Sequence, residues 1–460
     1  MHGIDVAPAS NVSNSRPNGP WYKLLNRYHW FVFVVAALGW LFDTMDQQLF
    51  TLARPLAMNE LIVQQADETP EHLAARKKEY GGYATSIFLI GWATGGLAFG
   101  VLGDKWGRVK TMLATIIVYS IFTGLSAFSK GFWDFCAFRF LTGLGVGGEF
   151  AVGVSLVAEV MPERARPHAL GLLQALSAVG NITAALIGMS GVGWQTMFLI
   201  GTAPALLSLL VRRRLKEPER WTSVSTSEGV SKQLGSYREL FGDSELRYRA
   251  IVGLILASAG VIGLWGIGFF TPDLQREVFT PIFQAEGLSG PELEARLRRW
   301  SGITSLVLNF GAFFGISMFS YVSHYLGRRA TFALCLIGAM FTTANVFWNL
   351  GRFSGVYDIL WMVPIMGFFQ LSIFGGYAVY FPELFPTRLR STGTSFCYNV
   401  GRFVAALGPF TLGKLIRNVF SEYPSPLPFR YAGVTMCCIF VLGLLVLPFA
   451  PETKGKPLPE

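Results

Sequence analysis

The chain has 460 residues, of which 52% are hydrophobic and only 15% are charged, and its mean hydropathy is +0.42. A soluble protein carries about 25% charged residues, so the composition excludes an ordinary soluble domain and indicates an α-helical membrane protein. The formal net charge of +9 does not indicate nucleic-acid binding, because the basic residues cluster in alternate loops between apolar spans, as the positive-inside rule describes.

Residues 1–29 precede the first apolar span, and their beginning is rich in Asn, Ser and Pro. This segment has no basic stretch followed by an apolar core and a cleavage site, so we interpret it as a cytosolic tail rather than a signal peptide. The alternation of basic loops, which include Arg108, Arg212 and Arg328, predicts that both chain termini lie in the cytoplasm.

Twelve apolar spans follow this tail, and most have about the 20 residues that a helix needs to cross a bilayer. Their predicted bounds are 30–54, 82–102, 111–129, 133–158, 167–189, 194–212, 249–271, 300–323, 331–349, 357–381, 391–415 and 429–449. A polar cytoplasmic linker over 215–248 separates an N-terminal six-helix bundle, 30–214, from a C-terminal six-helix bundle, 249–450. The longest external loops are predicted at 55–80 and 272–299, and a cytosolic tail at 451–460.

The two halves also repeat in sequence. "AEVMPERARPHA" ends span 4 and enters span 5, and "FPELFPTRLRSTG" does the same for spans 10 and 11, with Glu159 and Glu383 aligned at an offset of 224 (383 − 159 = 224). "GDKWGRVK" after span 2 corresponds to "SHYLGRRA" after span 8. The predicted fold class is therefore an all-α membrane protein with twelve transmembrane helices in two pseudo-symmetric bundles. Such duplication is typical of secondary carriers, whose substrate site lies between the halves.

These motifs resemble those of the major facilitator superfamily. "GDKWGR" is similar to its signature between helices 2 and 3, and "RFLTGLGVGGE", "KEPERW" and "PETKG" resemble its sugar-porter-like branch. "PELFPTRLRSTG" and "YNVGR" resemble the metabolite:proton and aromatic-acid:proton symporters and the related organic ion transporters. The resemblance covers the chain from span 1 to the C-terminus. It implies a carrier that works by alternating access.

The resemblance also implies that the loop motif and its repeat hold the cytoplasmic side closed and release it when that side opens. The alternative is an ordinary turn with positive-inside charges. The sequence departs from the signature in its second half, where His324 stands in place of the acid at Asp104. The gating residues predicted from the motifs are Gly103, Asp104, Gly107, Arg108, Glu159, Arg164, Glu383 and Arg388.

Asp46 and Arg139 are the best candidates for proton coupling. At 1.5 Å per residue they lie about 12 Å and about 9 Å below the outer boundary, so pairing is possible. An aspartate beside a fixed arginine stays ionised, whereas one whose arginine has moved away takes up a proton. In sugar porters resembling this chain, an Asp in helix 1 and an Arg in helix 4 have this role. The alternative is a static buried salt bridge.

Two further acids interrupt apolar spans in the same half. Asp43 lies one helical turn before Asp46, and like charges that close rarely ionise together in an apolar site. It is predicted to couple protons or orient substrate, or else to be a water-exposed cavity residue. Glu149 lies in the glycine-dense "GLGVGGE", where it is either a second proton site or a structural hydrogen-bond acceptor.

Arg402 is the candidate anchor for a substrate. It follows Arg390 by twelve residues, hence lies about 18 Å into a core of about 30 Å, and a guanidinium there suits bidentate carboxylate binding. In organic anion carriers resembling this stretch, an arginine here engages the substrate. The alternative is that it pairs with an acid on another helix, such as Asp43. The other predicted cavity residues, each also explicable as packing, are Asn399, Tyr398, Gln370, Tyr377, Trp265 and Gln174.

The predicted function is proton-coupled symport of a small organic acid. Its partners are a small-molecule substrate, protons and the lipid bilayer, and the protein is expected to be a monomer in a bacterial cytoplasmic membrane. No catalytic residue, metal site or cofactor is predicted, so we do not expect an enzyme. Two alternatives remain open: proton:sugar symport, and a membrane sensor that binds a metabolite without moving it.

Overall fold

The computed structural model describes residues 20–66, 68–203, 215–227, 233–405 and 408–459. Their regular structure is helical, and the predicted all-α fold is confirmed. The α-helices are α1 Arg27–Leu61, α2 Pro70–Lys105, α3 Arg108–Ser126, α4 Phe132–Val160, α5 Arg166–Met189, α6 Trp194–Ile200, α7 Glu219–Thr226, α8 Tyr237–Gly242, α9 Ser244–Ile262, α10 Thr271–Ala285, α11 Gly290–Leu326, α12 Arg328–Asn349, α13 Ile359–Leu384, α14 Arg390–Ala405, α15 Gly408–Lys414, α16 Leu427–Met436 and α17 Ile439–Val446.

Ten helical stretches of the described residues are long and apolar enough to cross a membrane. The sixth predicted span, 194–212, begins as α6, and its second half lies outside the described residues. The eleventh, 391–415, corresponds to α14 and α15, on either side of residues 406–407, which are also outside them. The last span is divided between α16 and α17.

The segments predicted as external loops, 55–80 and 272–299, are largely helical, and their location outside the membrane stays a prediction. Helix α1 continues through Pro55 to Leu61, α2 already begins at Pro70, and α10 and the start of α11 occupy most of the second loop. Polar and charged residues allow these helices to continue beyond the apolar span. The linker 215–248 likewise contains α7 and α8.

The seventh predicted span, 249–271, is a straight α-helix only as far as Ile262. A π-helical turn over Gly263–Ile267 and a 3-10 turn over Gly268–Phe270 follow before α10 begins. Three glycines within six residues weaken the α-helical pattern here, and π-turns inside helices are frequent at functional sites.

Glycines set the spacing between α2 and α4. A Cβ on Gly147 of α4 would lie 2.0 Å from the carbonyl oxygen of Trp92 on α2, and one on Gly95 of α2 would lie 2.0 Å from the carbonyl oxygen of Leu144. The other half packs in the same way, since a Cβ on Gly315 of α11 would meet the carbonyl oxygen of Phe368 at 1.9 Å. Small residues that let backbones approach are the usual device of helix packing in membranes.

The end of the bundle that carries the loops after α2, α4, α11 and α13 is called the basic face below. At this face the chain turns from α2 to α3 at Gly107 and from α11 to α12 at Gly327, whose φ angles of 111° and 89° suit glycine. The backbone N–H groups of Val109 and Lys110 donate to Glu217, at the start of the linker. Each half therefore begins its third helix at a glycine.

The C-terminal half repeats this capping with Glu452 of the C-terminal tail, which accepts hydrogen bonds from the N–H groups of Arg328 and Arg329. Burial of Glu452 opposes its ionisation, but the N–H groups of Arg328, Lys454 and Arg329 outweigh that effect and lower its pKa. The motifs "KEPERW" and "PETKG" thus have equivalent roles. The glutamate of the first caps the N-terminus of α3, and that of the second caps the N-terminus of α12.

Candidate functional site

Asp46 of α1 and Arg139 of α4 form a fully buried ion pair, with 3.7 Å between Asp46 Oδ2 and Arg139 Nη1. Neither oxygen of Asp46 receives a hydrogen bond from the described residues, and Arg139 Nη1 likewise has no hydrogen-bonded partner among them. The contact between the two residues is therefore mainly electrostatic. A buried pair of this kind is costly to break and contributes little net stability while it is intact.

The remaining donors of Arg139 fix it to its own part of the N-terminal half. Its Nε and Nη2 donate to Ser126 Oγ at 2.9 and 2.7 Å, and Nη2 also donates to Thr142 Oγ1 at 3.0 Å. The guanidinium carbon lies 4.5 Å from the ring centroid of Phe198. Arg139 is thus held firmly by α3, α4 and α6, whereas Asp46 is held loosely.

Asp43 lies one turn before Asp46 on α1 and is fully buried. Its Oδ2 accepts a hydrogen bond from Gln47 Nε2 at 3.2 Å, and Oδ1 has no partner among the described residues. Asp43 interacts electrostatically with Glu149, Asp46 and Arg402. It therefore lies between the acidic cluster of the N-terminal half and the arginine of the other half.

Glu149 of α4 points between α1 and α3, inside the N-terminal half. Its Oε2 accepts a hydrogen bond from Thr115 Oγ1 at 2.6 Å, and Oε1 has no partner among the described residues. A Cβ on Gly39 of α1 would lie 2.4 Å from Oε1. The glycine is needed here because it leaves room for the carboxylate.

Arg402 of α14 is buried between two aromatic rings. Its guanidinium carbon lies 3.9 Å from the ring centroid of Trp92 on α2 and 4.1 Å from that of Tyr398 on its own helix. Its Nη1 donates to Asn399 Oδ1 at 2.6 Å, and its Nε has no partner among the described residues. The cation is therefore held in position with part of its donor set uncommitted.

Tyr398 and Asn399 hold this arrangement against the N-terminal half. The ring of Tyr398 stacks on Phe150 of α4 at a centroid distance of 4.1 Å. Asn399 Nδ2 donates to Ser395 Oγ at 2.9 Å, and Ser395 in turn donates to the carbonyl oxygen of Gly96 on α2. The site around Arg402 is thus built from both halves.

The other predicted cavity residues differ in their hydrogen bonds and ring contacts. Gln370 Nε2 donates to the carbonyl oxygen of Gly263 at 2.9 Å, while its Oε1 is unpaired among the described residues. Gln174 is buried, and its Oε1 is unpaired in the same sense. Trp265 packs edge-on against Trp92, with ring centroids 5.9 Å apart. Trp265 thus adjoins the tryptophan that lies against Arg402, and each glutamine has an oxygen without a partner among the described residues.

Tyr377 is the exception. Its hydroxyl donates to the carbonyl oxygen of Leu256 at 2.7 Å and accepts from the N–H of Gly260 at 3.2 Å. Both bonds go to the backbone of α9, so this hydroxyl fastens α13 to α9. Because its hydroxyl is committed to the fold, Tyr377 is not a candidate ligand.

A second polar cluster joins the two halves at the basic face. Asp104, at the end of α2, accepts hydrogen bonds from Thr392 N at 2.8 Å, Thr392 Oγ1 at 2.6 Å and Ser391 N at 3.2 Å. These donors belong to the first turn of α14, where a carboxylate is stabilised by the helix N-terminus. Gly103 is required beside it, because a Cβ there would lie 2.6 Å from Ser391 Oγ.

Arg108 and Glu159 extend this cluster. Arg108 donates to Asp104 at 2.6 Å, to Glu159 Oε1 at 2.8 Å and to the carbonyl oxygen of Thr387 at 2.8 Å. Arg390 of α14 also donates to Glu159 Oε1, at 2.8 Å. Glu159 therefore bridges an arginine from each half, and all these side chains are buried.

The predicted gating arginines need revision. Arg390 makes the ion pair between the halves, whereas Arg388 pairs with Glu239 of α8 at 2.6 Å. In the first repeat Arg166 donates to the carbonyl oxygen of Ala158 at 2.8 Å. The sequence motif contains both arginines of each pair, but only packing decides which one points inward.

The C-terminal repeat has its own cluster. Arg328 pairs with Glu383 at 2.9 Å and donates to the carbonyl oxygen of Ser323 at 3.1 Å. His324, which replaces the acid of the signature, faces His168 of α5 with ring centroids 5.8 Å apart. His168 is the repeat equivalent of Thr392 (392 − 224 = 168). The Asp104–Thr392 contact is thus replaced by a pair of imidazoles in the second repeat.

Trp92 and Phe150 are part of the site but were not among the predicted residues. Both are aromatic residues in apolar spans, and nothing in their immediate sequence distinguishes them from core packing. A signal was available, since each lies in a glycine-rich helix at the depth of a buried charge. A cation at mid-membrane needs a partner, and an aromatic face is one of the few neutral ones.

The membrane-spanning helices and the two polar clusters between paired halves define a transporter, not an enzyme. The model of the Major Facilitator Superfamily matches residues 36–409, and the chain belongs to that family. The structure resembles that of the proton:xylose symporter XylE bound to 6-bromo-6-deoxy-D-glucose, with a TM-score of 0.74, 18% identity and coverage of 94% of this chain and 98% of that one. That likeness supports the fold.

Two relatives are named after their substrates. The cis,cis-muconate transport protein of Acinetobacter baylyi is 30% identical over 342 residues, which cover 73% of this chain and 78% of the relative. The niacin transporter NiaP of the same organism is 25% identical over 466 residues, which cover 94% of this chain and 96% of the relative.

Proposed function

We propose that the protein is a proton-coupled symporter of a small organic acid that works by alternating access in a bacterial cytoplasmic membrane, with its basic face toward the cytoplasm. Arg402 is the observation that carries this proposal. It is a guanidinium buried between Trp92 and Tyr398, with its Nε uncommitted among the described residues. A buried cation of this kind suits an anionic ligand.

The substrate carboxylate binds at Arg402, in the space bordered by the two halves. The aromatic rings around it support a ligand with a flat apolar body, because such a body would stack where the ring faces are presented. Muconate and niacin, after which two relatives are named, are both carboxylic acids. Gln370 and Gln174 supply neutral hydrogen-bonding groups for the rest of the ligand.

Coupling depends on Asp46 and Arg139. Asp46 stays ionised while Arg139 lies close to it, and a movement of α1 away from α4 would leave an isolated buried carboxylate, which takes up a proton. Arg139 is fastened by Ser126 and Thr142, so Asp46 is the member of the pair that moves. Asp43 stands between this pair and Arg402. It thereby links the charge of the proton site to the charge of the substrate site.

Alternating access requires the basic face to open. The ion pairs of Glu159 with Arg108 and Arg390, and the hydrogen bonds of Asp104 to α14, hold it closed in this structure. They would have to release together when the halves rock.

The test is uptake by purified full-length protein in proteoliposomes, with radiolabelled benzoate, nicotinate, muconate and xylose as separate probes. We expect accumulation of at least one carboxylate when the interior is alkaline. Asp46→Asn should abolish that accumulation but leave counterflow exchange of the same carboxylate. Accumulation by Asp46→Asn equal to the wild type would refute the coupling role. Accumulation of xylose alone would refute the acid as substrate.

Two alternatives are separated by the same vesicles. Proton:sugar symport is favoured by the "KEPERW" and "PETKG" motifs, and it predicts uptake of xylose that does not need the charge of Arg402. A sensor that binds without transport predicts no counterflow of any probe. The buried clusters at the basic face favour a moving carrier over a sensor, since a static receptor has no need of ion pairs between its halves.

A further inference from the structure

Helix α3 presents a line of buried hydroxyl groups to the acids of α1 and α4. Thr111, Thr115, Tyr119 and Thr123 follow one another at intervals of four residues, which places them on one face at steps of about 6 Å. All four are fully buried. Buried hydroxyl groups in an apolar span call for a hydrogen-bond partner or a function.

Thr115 and Thr123, the members of this line on either side of Tyr119, lie beside the two predicted proton sites. Thr115 donates to Glu149 at 2.6 Å. A Cβ on Gly201 of α6 would lie 2.7 Å from Thr123 Cγ2 and 3.1 Å from Asp46 Oδ1, so Thr123 and Asp46 border the same small space. Ser126, one turn beyond Thr123, binds Arg139.

Tyr119 lies between Thr115 and Thr123 on α3. The packing of α3 on the antiparallel α4 keeps one register: Glu149 faces Thr115 (149 + 115 = 264), and Gly145 faces Tyr119 (145 + 119 = 264). A Cβ on Gly145 would lie 2.8 Å from Tyr119 Cβ, so the glycine makes room for the tyrosine.

The phenol of Tyr119 lies within electrostatic range of acids from two helices. It interacts electrostatically with Glu149 of α4 and with Asp43 and Asp46 of α1. Among the described residues, the hydroxyls of Tyr119 and Thr123, both oxygens of Asp46 and Oε1 of Glu149 have no hydrogen-bond partner. Each unpaired buried polar atom costs free energy of folding. Such atoms are expected where a group serves function rather than stability.

We propose that Tyr119 relays a proton between Asp46 and Glu149, which makes Glu149 a second proton station that lies nearer the basic face. This inference rests on the proposed proton coupling. The relay operates in a state that brings Tyr119 Oη within hydrogen-bond distance of both carboxylates, because in this structure the hydroxyl is bonded to neither of them. As the carboxyl of Asp46 gives its proton to the phenol oxygen, the phenol's own O–H bond breaks and that proton joins the carboxylate of Glu149. Tyr119 ends neutral, Asp46 regains its negative charge and Glu149 loses its own.

Among the described residues, the charges that act on this path come from α1, α4 and α14. Arg139 pairs with Asp46 and favours its ionised form, while Asp43 repels charge on both other acids. Arg402 acts on Asp43 from α14. Release of the proton by Asp46 as it returns to Arg139 therefore drives the transfer toward Glu149 and away from the opposite face of the membrane.

Time-resolved infrared difference spectroscopy after a pH drop tests the relay on the detergent-purified full-length protein, without any substrate. The C=O bands of the protonated acids are assigned by their loss in Asp46→Asn and in Glu149→Gln. In Tyr119→Phe, which keeps the ring, we expect the Glu149 band to rise at least 10-fold more slowly while the Asp46 band rises at the wild-type rate. Tyr380→Phe is the matched control. It removes a buried tyrosine hydroxyl far from α3, on α13, which donates to the carbonyl oxygen of Pro451. It should leave both rates unchanged.

A Glu149 band that rises at the wild-type rate in Tyr119→Phe would overturn the relay and leave the proposed function intact. A wild-type protein that shows no band lost in Asp46→Asn would instead overturn the proton site itself, and the relay with it. A melting temperature for Tyr119→Phe close to that of the wild type ensures that the slower rise is not caused by unfolding.

Discussion

Arg390 of the C-terminal half donates a hydrogen bond of 2.8 Å to Glu159 of the N-terminal half, and the same carboxylate oxygen accepts one from Arg108. Two cations from different halves thus share one anion in a fully buried position. Removing that anion leaves both arginines buried without their counter-charge, which costs several kcal/mol in soluble proteins.

Glu159→Gln should therefore favour the state that is open at the basic face. With Ser391→Cys as a reporter in the first turn of α14, which is buried here, we expect N-ethylmaleimide to modify that cysteine at least 10-fold faster than in the Ser391→Cys parent. Peptide mass spectrometry separates this site from the native cysteines. Glu219→Gln, an exposed acid of α7 on the same side, is the control and should leave the rate unchanged. Equal rates in all three proteins would contradict the gating role of Glu159.

Arg402→Gln should discriminate between an acid and a sugar as substrate. The variant keeps hydrogen-bonding capacity but loses the charge and the stacking on Trp92 and Tyr398. A charge-assisted pair contributes about 1.5–3 kcal/mol, so the affinity for a carboxylate should fall by roughly 10- to 150-fold, as measured by competition in counterflow.

The control for this variant is Arg352→Gln. Arg352 also lies over a tryptophan ring, that of Trp348, at 5.0 Å, but at the end of α12 and outside the site. It should bind the carboxylate as the wild type does. An Arg402→Gln protein with undiminished affinity for the acid would show that the carboxylate binds elsewhere.

Two glycines of α4 should respond oppositely to alanine. A Cβ on Gly147 would collide with the carbonyl oxygen of Trp92 at 2.0 Å, whereas one on Gly153 has no atom within 4 Å. Gly147→Ala should therefore separate α2 from α4 and lower the melting temperature by several degrees. Gly153→Ala should raise it slightly, because alanine is favoured over glycine in a helix by about 1 kcal/mol. Fluorescence-detected thermal unfolding in detergent measures both, and equal melting temperatures would contradict the close packing.

His324→Asp should strengthen the contact between α5 and α11. It restores the acid of the signature opposite His168, in the position where Asp104 contacts Thr392. Ser391 has no counterpart donor, since its repeat equivalent is Pro167 (391 − 224 = 167), so the new contact would be weaker than the original.

We expect the exchange rate of His324→Asp in counterflow to fall at least 2-fold, because the closed basic face is stabilised. The double variant His168→Ala with His324→Asp removes the partner and should return toward the wild-type rate. A rate in the double variant as low as in the single one would show that the aspartate acts through some other neighbour.

Much of this molecule could be predicted from the sequence because membrane constraints are strict. The lengths of the apolar stretches predicted the membrane spans. A charge buried in a membrane is too costly to occur by chance, so Asp46, Arg139 and Arg402 stood out. What the sequence did not reveal depends on neutral residues and on direction. Trp92 differs in no local feature from a packing residue, and only three-dimensional packing makes Arg390 rather than Arg388 face Glu159. The polar helical extensions of α1, α2 and α11 were missed because hydropathy measures membrane crossing and not helicity.

The two contacts between halves at the basic face are chemically unequal. Asp104 and Glu159 join α2 and α4 to α14 by ion pairs and hydrogen bonds, whereas His168 and His324 bring α5 and α11 together through two rings. In a duplicated protein with identical repeats, the two halves would separate equally easily at both contacts. Here the side at α5 and α11 resists separation less, so a substrate leaving at the basic face should meet an asymmetric exit that widens first beside the histidines.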